Sequence, residues 1–417
     1  MFSARRFVEG FVGQRRRLFF YLVIVGAGGA ILGAAYVTSM HLLERLLWPT
    51  HWALATHLVI LVAVGAAVGL LTKFLGSPGD VELLVNNIHL LGGPEDIRDL
   101  RSLIPVSLIC IASGGAMGPE APLVQTTGSW GAWFSMRLKL SREDMRILTI
   151  TGMAAGFTVL FGAPLGSAIF ALEILHRRGL QYYEALLPSV IGGLVGYTVY
   201  ATLTRAGLAP IWSFPASTAA LRPSDLLAAV GCGVGGAIVA AVFTYLTNAL
   251  RAVFRVVPAG IRPVLGGLAL GGLAFWSPYA LTFGEAQINH VVIVRAAALA
   301  FLVAALAKLA GTSVTLSSGW RGGFIIPLFF MGVSLGRFAH GLMPGTDVVV
   351  LTSALMAACN VGVTKTTLGT TLIVTEMTGI HLLPTTLLAA VIALLLTSQV
   401  SLIHTQQERE SAFGTRD

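Results

Sequence analysis

The chain has 417 residues, of which 55% are hydrophobic and only 11% are charged, with a mean hydropathy of +0.81. A soluble globular protein carries about 25% charged residues. This composition therefore excludes a set of soluble domains, because too little polar surface is present to cover them. The 48 glycines agree with a polytopic membrane protein, since small residues let helices approach closely in lipid. We expect an all-α protein that crosses the bilayer many times.

The formal net charge is +8, and a basic group precedes the first apolar run. Its members are Arg5, Arg6, Arg15, Arg16 and Arg17. Arginines beside a membrane span follow the positive-inside rule and predict a cytoplasmic N-terminus. No nucleic-acid-binding pattern accompanies them, so the excess charge is assigned to membrane topology and not to a nucleic-acid partner.

Apolar runs follow one another along most of the chain. They cover roughly 18–36, 52–75, 101–117, 149–175, 184–204, 226–256, 262–282, 291–311, 324–341, 347–363 and 368–403. Several are too short to cross a hydrocarbon core of about 30 Å without tilting, and others are interrupted by Gly or Pro. Non-helical backbone at membrane depth is tolerated only inside protein or beside a water-filled cavity. The pattern therefore predicts tilted, broken or re-entrant helices around a solute pathway.

An internal repeat divides the chain into two halves. One block recurs 203 positions later: Met153-Ala154-Ala155, Leu165-Gly166 and Glu173 match Met356-Ala357-Ala358, Leu368-Gly369 and Glu376. A second block recurs 205 positions later: Ser113-Gly114, Pro122-Leu123 and Gly131 match Ser318-Gly319, Pro327-Leu328 and Gly336. The predicted organisation is a basic cytoplasmic N-terminus (1–17), a first membrane half (18–205), a connecting segment (206–225), a second membrane half (226–403) and a cytoplasmic tail (404–417). Paired, interrupted segments in corresponding halves are typical of the binding site of a repeat-built transporter.

Three glycine-rich turns lead into apolar helices, at 76–80, 114–122 and 319–327. A helix N-terminus carries about half a positive charge and free N–H groups, which suit a desolvated anion. Turns of this kind can also be plain helix breaks. If these helix N-termini are aimed at one point, their partial charges can bind an anion there. A full positive charge would hold the anion too tightly for release.

Glu120 lies between two prolines at the second of these turns. An ionisable side chain inside the membrane is costly, and it is a functional candidate by default. An ionised Glu120 competes with an anion and a protonated one vacates the site, so we interpret it as a gate or proton carrier. Glu173 and Glu376 correspond to each other across the repeat, which favours a symmetric structural role such as hydrogen-bonding a buried helix end.

Other chemistry has weak support in the sequence. Cys110, Cys232 and Cys359 lie in apolar stretches at unrelated spacings, which is typical of buried hydrophobic positions and not of a disulfide framework. No metal-ligand spacing or phosphate loop is present, so no metal or cofactor is expected. Ser313 and Ser317 would support an intramembrane hydrolase only with a positioned base. We therefore predict a transport protein and not an enzyme.

At its glycine-rich turns the sequence resembles the CLC family, which contains voltage-gated chloride channels and proton-coupled anion antiporters. The segment Gly118-Pro119-Glu120-Ala121-Pro122 is similar to the family's G(K/R)EGP motif. Residues 322–327 resemble its GxFxP motif, and residues 76–79 resemble its GSGIP motif. The resemblance implies a homodimer with one pore in each subunit, each subunit having about eighteen short helices in two inverted repeats. It also implies that Glu120 is the external gate and that Ser77, Gly118, Gly323, Phe324 and Ile325 bind chloride or a similar small anion.

The departures from the family pattern bear on mechanism. Ile174 stands at the position of the inner proton glutamate of the family's exchangers, and no tyrosine follows Tyr279 to match the pore tyrosine. His404, Thr405 or Gln406 fall in that region without an assignment. Passive, Glu120-gated conduction is therefore the first interpretation. Proton/chloride antiport through a non-standard inner route and fluoride-selective export remain open.

The resemblance also carries expectations about cellular context. No regulatory nucleotide-binding (CBS) domain follows the second half, which is typical of prokaryotic members. We expect a multi-pass protein of the bacterial plasma (inner) membrane with both termini in the cytoplasm. Its partners would be the lipid bilayer, the anion, protons if transport is coupled, and a second copy of the chain.

Overall fold

The computed structural model describes residues 2–48, 53–79, 81–94, 97–177, 179–205, 211–212, 214–215 and 220–406. Side chains are described from Arg17 onward, with Val81 excepted. The side chains of the basic N-terminus before Arg17 and the motif residue Asp80 lie outside the described residues. So do much of the connecting segment and the tail beyond Gln406.

Sixteen α-helices form the described part of the chain, which confirms the all-α expectation. The first eight are α1 (Phe2–Leu47), α2 (Leu54–Leu75), α3 (Val81–Leu91), α4 (Leu100–Ala112), α5 (Glu120–Arg137), α6 (Arg142–Phe161), α7 (Pro164–Glu173) and α8 (Leu186–Thr204). The others are α9 (Pro223–Arg255), α10 (Arg262–Trp276), α11 (Glu285–Ile293), α12 (Ala298–Ser317), α13 (Ile325–Leu342), α14 (Val348–Thr364), α15 (Thr367–Thr378) and α16 (Leu383–Leu396). Short 3-10 helices at Tyr183–Ala185, Pro278–Ala280 and Ile380–Leu382 complete the helical structure.

Among the described residues, seven helices are long and apolar enough to cross a membrane. Others are too short, such as α7 with 10 residues and α15 with 12. The mixture agrees with the predicted tilted and broken helices. Short helices that end inside the protein leave their terminal N–H groups available for partners, and this determines where the site forms.

The two repeated blocks have the same local backbone geometry. Gly114 and Gly319, which precede α5 and α13, both have φ of +91°. Helix α6 ends at Gly162 with φ of 63°, and α14 ends at Lys365 with φ of 66°. Lys365 adopts this left-handed conformation without being glycine, and its Nζ donates to the carbonyls of Gly362 (2.6 Å) and Thr397 (2.7 Å). The repeat is therefore structural as well as sequential.

Glu173 and Glu376 join the halves reciprocally. The Glu173 carboxylate accepts hydrogen bonds from the backbone N–H groups of Leu368 (3.2 Å) and Gly369 (2.7 Å) at the start of α15. Glu376, on α15, accepts from Gly166 N–H (2.6 Å) at the start of α7. Each carboxylate thus caps the helix that bears the other, which confirms the symmetric structural interpretation of both residues.

Removing one of these caps should destabilise the fold. We expect Glu173→Ala to lower the stability by about 1–3 kcal/mol, because amides buried at the start of α15 lose their acceptor. Thermal unfolding of the detergent-purified protein measures the change. Glu143→Ala, at an exposed position in the first turn of α6, is the control. An equal midpoint for the two variants would contradict the capping role.

Candidate anion-binding site

Two of the three predicted turns meet at one point in the structure. Gly118 N–H donates to the Gly323 carbonyl (2.8 Å), and Gly323 N–H donates to the Gly118 carbonyl (2.6 Å). This pair forms an isolated antiparallel bridge. The bridge holds the N-termini of α5 and α13 side by side, one from each half of the chain. Their partial positive charges are directed to a common region, as an anion site requires.

Glu120 occupies this region. It is the first residue of α5 and is 1% exposed. Its Oε1 accepts a hydrogen bond from Ile326 N–H in the first turn of α13. Its Oε2 is buried and has no hydrogen-bond partner among the described residues. The carboxylate therefore takes the place that a small anion would take at the α13 N-terminus.

Glycine is required at both ends of the bridge because the carboxylate packs against the backbone there. A Cβ added at Gly118 or at Gly323 would overlap the carboxylate oxygens of Glu120. Phe324 and Ile325 follow Gly323 along the same wall. Gly118, Gly323, Phe324 and Ile325 of the predicted set are thus brought together with Glu120. The structure adds Ile326, whose amide is the donor that the motif alone does not identify.

An apolar cavity of about 30 Å³ connects Glu120 with Ile174. Its walls are Leu84, Val85, Glu120, Ala121, Val124, Met153, Phe157, Ile174, Gly323, Phe324, Ile325 and Ile403. Glu120 is the one ionisable side chain in this lining. Ile174 therefore lines the same cavity as Glu120, and its apolar side chain places no second carboxylate there.

A second, more polar cavity of about 80 Å³ shares three wall residues with the first, Ala121, Phe324 and Ile403. Its polar lining comes from Glu82, Gln125, Arg251 and Arg321. Arg251 forms an ion pair with Glu82, with Nη1 and Oε1 separated by 3.8 Å. Positive side chains in a cleft concentrate anions there. Arg321 lies in the glycine-rich turn at 319–327, but Glu82, Gln125 and Arg251 come from three different helices, so the sequence did not indicate that these side chains share a cavity.

Ser77 is not brought to Glu120. It is exposed, just beyond the end of α2. Gly79, two residues later, lines the polar cavity instead. The motif therefore reaches the chamber through its backbone, and the role of Ser77 as an anion ligand stays a prediction.

Ile403 directly precedes residues 404–406, the region in which no residue could be matched to the family's pore tyrosine. It is 3% exposed and lines both cavities. Gln406, one of the three residues considered there, binds backbone: its Nε2 donates to the carbonyls of Ile174 (3.0 Å) and Thr364 (2.8 Å). An apolar side chain thus stands where the two cavities join.

The serines considered for hydrolysis have structural partners. Thr247 Oγ1 donates to Ser313 Oγ (3.1 Å), and Ser317 Oγ donates to the Thr247 carbonyl (3.0 Å). These contacts join α9 to α12 and bring no base to either hydroxyl.

A buried carboxylate between two helix N-termini, with cavities behind it, defines an anion-transport protein of the membrane. Residues 64–398 match the family model described as voltage gated chloride channel. Because this match covers most of the chain, the chain belongs to that family, the CLC family. Its members are transport proteins and not enzymes.

Known relatives and solved structures agree with this membership. The chain is 26% identical over 403 residues to a "Chloride/fluoride channel protein" of Pseudomonas syringae pv. tomato, covering 93% of this chain and 86% of that one. It superposes on a CLC-type fluoride/proton antiporter with a TM-score of 0.83 at 22% identity, over 94% of this chain and 98% of the other. The superposition on a slow cyanobacterial Cl⁻/H⁺ antiporter has a TM-score of 0.78 at 20% identity, and it covers 90% of this chain and 94% of the other.

Proposed function

We propose that this protein exchanges a small anion, chloride or fluoride, for protons across a bacterial plasma membrane. The observation that carries the proposal is the position of the Glu120 carboxylate, which accepts the Ile326 amide at the α13 N-terminus. An ionised Glu120 competes with the anion for this amide. A protonated Glu120 is a weaker acceptor, because a hydrogen bond to a charged group is roughly twice as strong as a neutral one, so it leaves and the anion enters.

The burial of Glu120 favours a coupling of anion transport to proton transport. At 1% exposure, Glu120 does not titrate freely against bulk water, and a proton reaches it through the protein. Each opening by protonation then moves one proton into the pathway. The antiporters among the solved CLC structures support the same mode of transport.

Passive conduction is the second candidate, and Ile174 is the residue that favours it. With an isoleucine lining the same cavity as Glu120, the usual inner carboxylate is missing, and anions could pass without a stoichiometric proton. The two candidates share the gate and the anion site. They differ in whether an inner group delivers protons to Glu120.

The remaining parts of the proposal follow the family arrangement. The functional unit is a homodimer with one pathway in each subunit, built from the halves 18–205 and 226–403, with both termini in the cytoplasm. Ser77 serves as an anion ligand at the mouth of the pathway, supported by the position of Gly79 in the polar chamber.

Flux from liposomes distinguishes the candidates. Purified protein is reconstituted, an outward chloride or fluoride gradient is imposed without a proton gradient, and potassium with valinomycin fixes the voltage. Coupled exchange predicts protons driven against their gradient in fixed ratio to the anion. Anion release with no change in external pH would reject exchange in favour of conduction. Running both anions in parallel identifies the preferred one.

A further inference from the structure

Two histidines and a tyrosine form a compact cluster that the anion site does not use. His89 lies on α3, and His176 and Tyr182 lie in the segment after α7. His89 Nδ1 is 2.7 Å from the Tyr182 hydroxyl oxygen. The His176 ring packs against the Tyr182 ring at 4.6 Å between centroids and against the His89 ring at 5.3 Å. His176 is fully buried and His89 partly so.

Backbone carbonyls determine which nitrogen of each imidazole carries the hydrogen. The Leu175 carbonyl is 2.7 Å from His89 Nε2, and the Leu172 carbonyl is 3.1 Å from His176 Nδ1. A carbonyl oxygen can only accept, so these two nitrogens are the donors in the neutral rings. His89 Nδ1 and His176 Nε2 are then the nitrogens that can take up a proton. Each ring can therefore gain a proton without losing its backbone bond.

The cluster lies close to the cavity that Glu120 lines. Val85 lines that cavity, and His89 lies one turn further along the same face of α3, since residues i and i+4 are neighbours on a helix. From the other wall, Ile174 lines the cavity, and His176 follows two residues later. The cluster thus lies next to the position where the resemblance expects an inner glutamate.

Basic residues surround this end of the protein. Lys139 and Arg142 lie between α5 and the first turn of α6, and Arg177 follows His176. By the positive-inside rule this end faces the cytoplasm. Protons arriving from the cytoplasm therefore meet the cluster before they meet Glu120.

We propose that His89 and His176, linked through Tyr182, form the inner proton station that takes over the role of the missing glutamate. This inference rests on the proposed proton-coupled exchange. A cytoplasmic hydronium ion gives up a proton and an N–H bond forms on one imidazole. That N–H bond then breaks, water entering the cavity relays the proton, and an O–H bond forms on the Glu120 carboxylate. The imidazole returns to its neutral form.

The charges around the cluster suit a transient carrier. Arg146 on α6 lies over the Tyr182 ring at 4.7 Å and donates to the carbonyls of Ile88 (3.2 Å) and His89 (3.3 Å). Helix α3 is not one of the spanning helices. Burial lowers the pKa of the His89 imidazole; the hydrogen bond to the Leu175 carbonyl opposes this shift, and the charge of Arg146 adds to it. A proton on His89 is therefore held weakly and is readily passed on. Other charged side chains on these elements are Glu82 on α3, Arg142, Glu143 and Asp144 on α6, and Arg177 and Glu184 in the segment after α7.

Glutamine substitutions test the proposal, because glutamine keeps hydrogen-bonding capacity and cannot carry a proton. In the reconstituted full chain, His89→Gln combined with His176→Gln should lower proton flux about a hundredfold, the low end of what a positioned acid–base group contributes. Anion flux should persist. His57→Gln is the matched control, since His57 is also buried (5% exposed) but stacks on Trp48 away from the cavity.

Two further measurements separate a proton role from a structural one. Adding Ile174→Glu to the double variant should restore proton flux, which a packing role would not predict. Should the double variant elute as aggregate, the single variants and Tyr182→Phe provide the same comparison. Undiminished proton coupling in the folded variants would overturn the histidine station while leaving exchange intact. A wild-type protein without proton flux would instead reject the proposed function itself.

Discussion

Glu120→Gln is expected to abolish proton transport and leave anion transport open. Glutamine is close to the shape of the protonated carboxyl group and remains neutral at every pH, so it no longer competes as an anion for the Ile326 amide. Proton flux should fall to the level of protein-free liposomes. Wild-type anion flux should vary with pH by at most about tenfold per unit, the limit for one titrating group, and this dependence should vanish in the variant.

Paired recordings of anion and proton flux at several pH values check this result. The control is Glu376→Gln, which alters another carboxylate of the membrane region at a position that caps a helix. It should keep both coupling and pH dependence. If Glu120→Gln retained the wild-type pH profile, the gate would have to be sought elsewhere.

Gly323→Ala is expected to have the second large effect, on anion flux itself. The new Cβ overlaps Glu120 Oε2 and comes within 3.1 Å of the Ala121 nitrogen, so both the carboxylate and a competing anion lose room. Overpacking costs about 1–3 kcal/mol, which corresponds to a reduction in flux of about fivefold to 150-fold. Anion efflux from liposomes measures it.

A double substitution tests whether the overlap with Glu120 is the cause. Glu120→Ala removes the crowded carboxylate, so the variant with both changes should regain part of the flux, and the deviation from additivity measures the contact. Gly231→Ala is the control, because a Cβ there meets nothing within 4 Å. Wild-type flux in Gly323→Ala would show that the α13 N-terminus is not the binding position.

The sequence revealed the parts of the site whose chemistry is local. A carboxylate between prolines at a glycine turn is anomalous in an apolar sequence, so Glu120 could be singled out without a structure. Gly118 and Gly323 were expected there from the resemblance to the family's motifs. The matched glutamates were also recognisable, because the repeat pairs them. The signal for Glu120 lies in one short segment, and that for the glutamates lies in two matching segments 203 positions apart.

Features that depend on distant segments were not predictable in this way. Ile403 carries no polar group, and it lines the cavities only because the segment after α16 returns to Phe324. Arg251 reaches the polar chamber from α9, which the sequence shows only as an apolar run. His89 and Tyr182 are 93 residues apart, and their pairing arises from the packing of α3 against the segment after α7.

The bridge between Gly118 and Gly323 limits the kinds of motion open to this protein. Many repeat-built transporters work by rocking one half against the other around a fixed site. Here backbone hydrogen bonds join the two halves at the site itself, and the reciprocal helix caps of Glu173 and Glu376 join them a second time. Rocking would break both sets of bonds, so the proposed exchange assigns the motion to the Glu120 side chain. In the proposed exchange, the turnover rate would then be set by rotamer changes, which are intrinsically fast, and by the frequency with which a proton reaches Glu120.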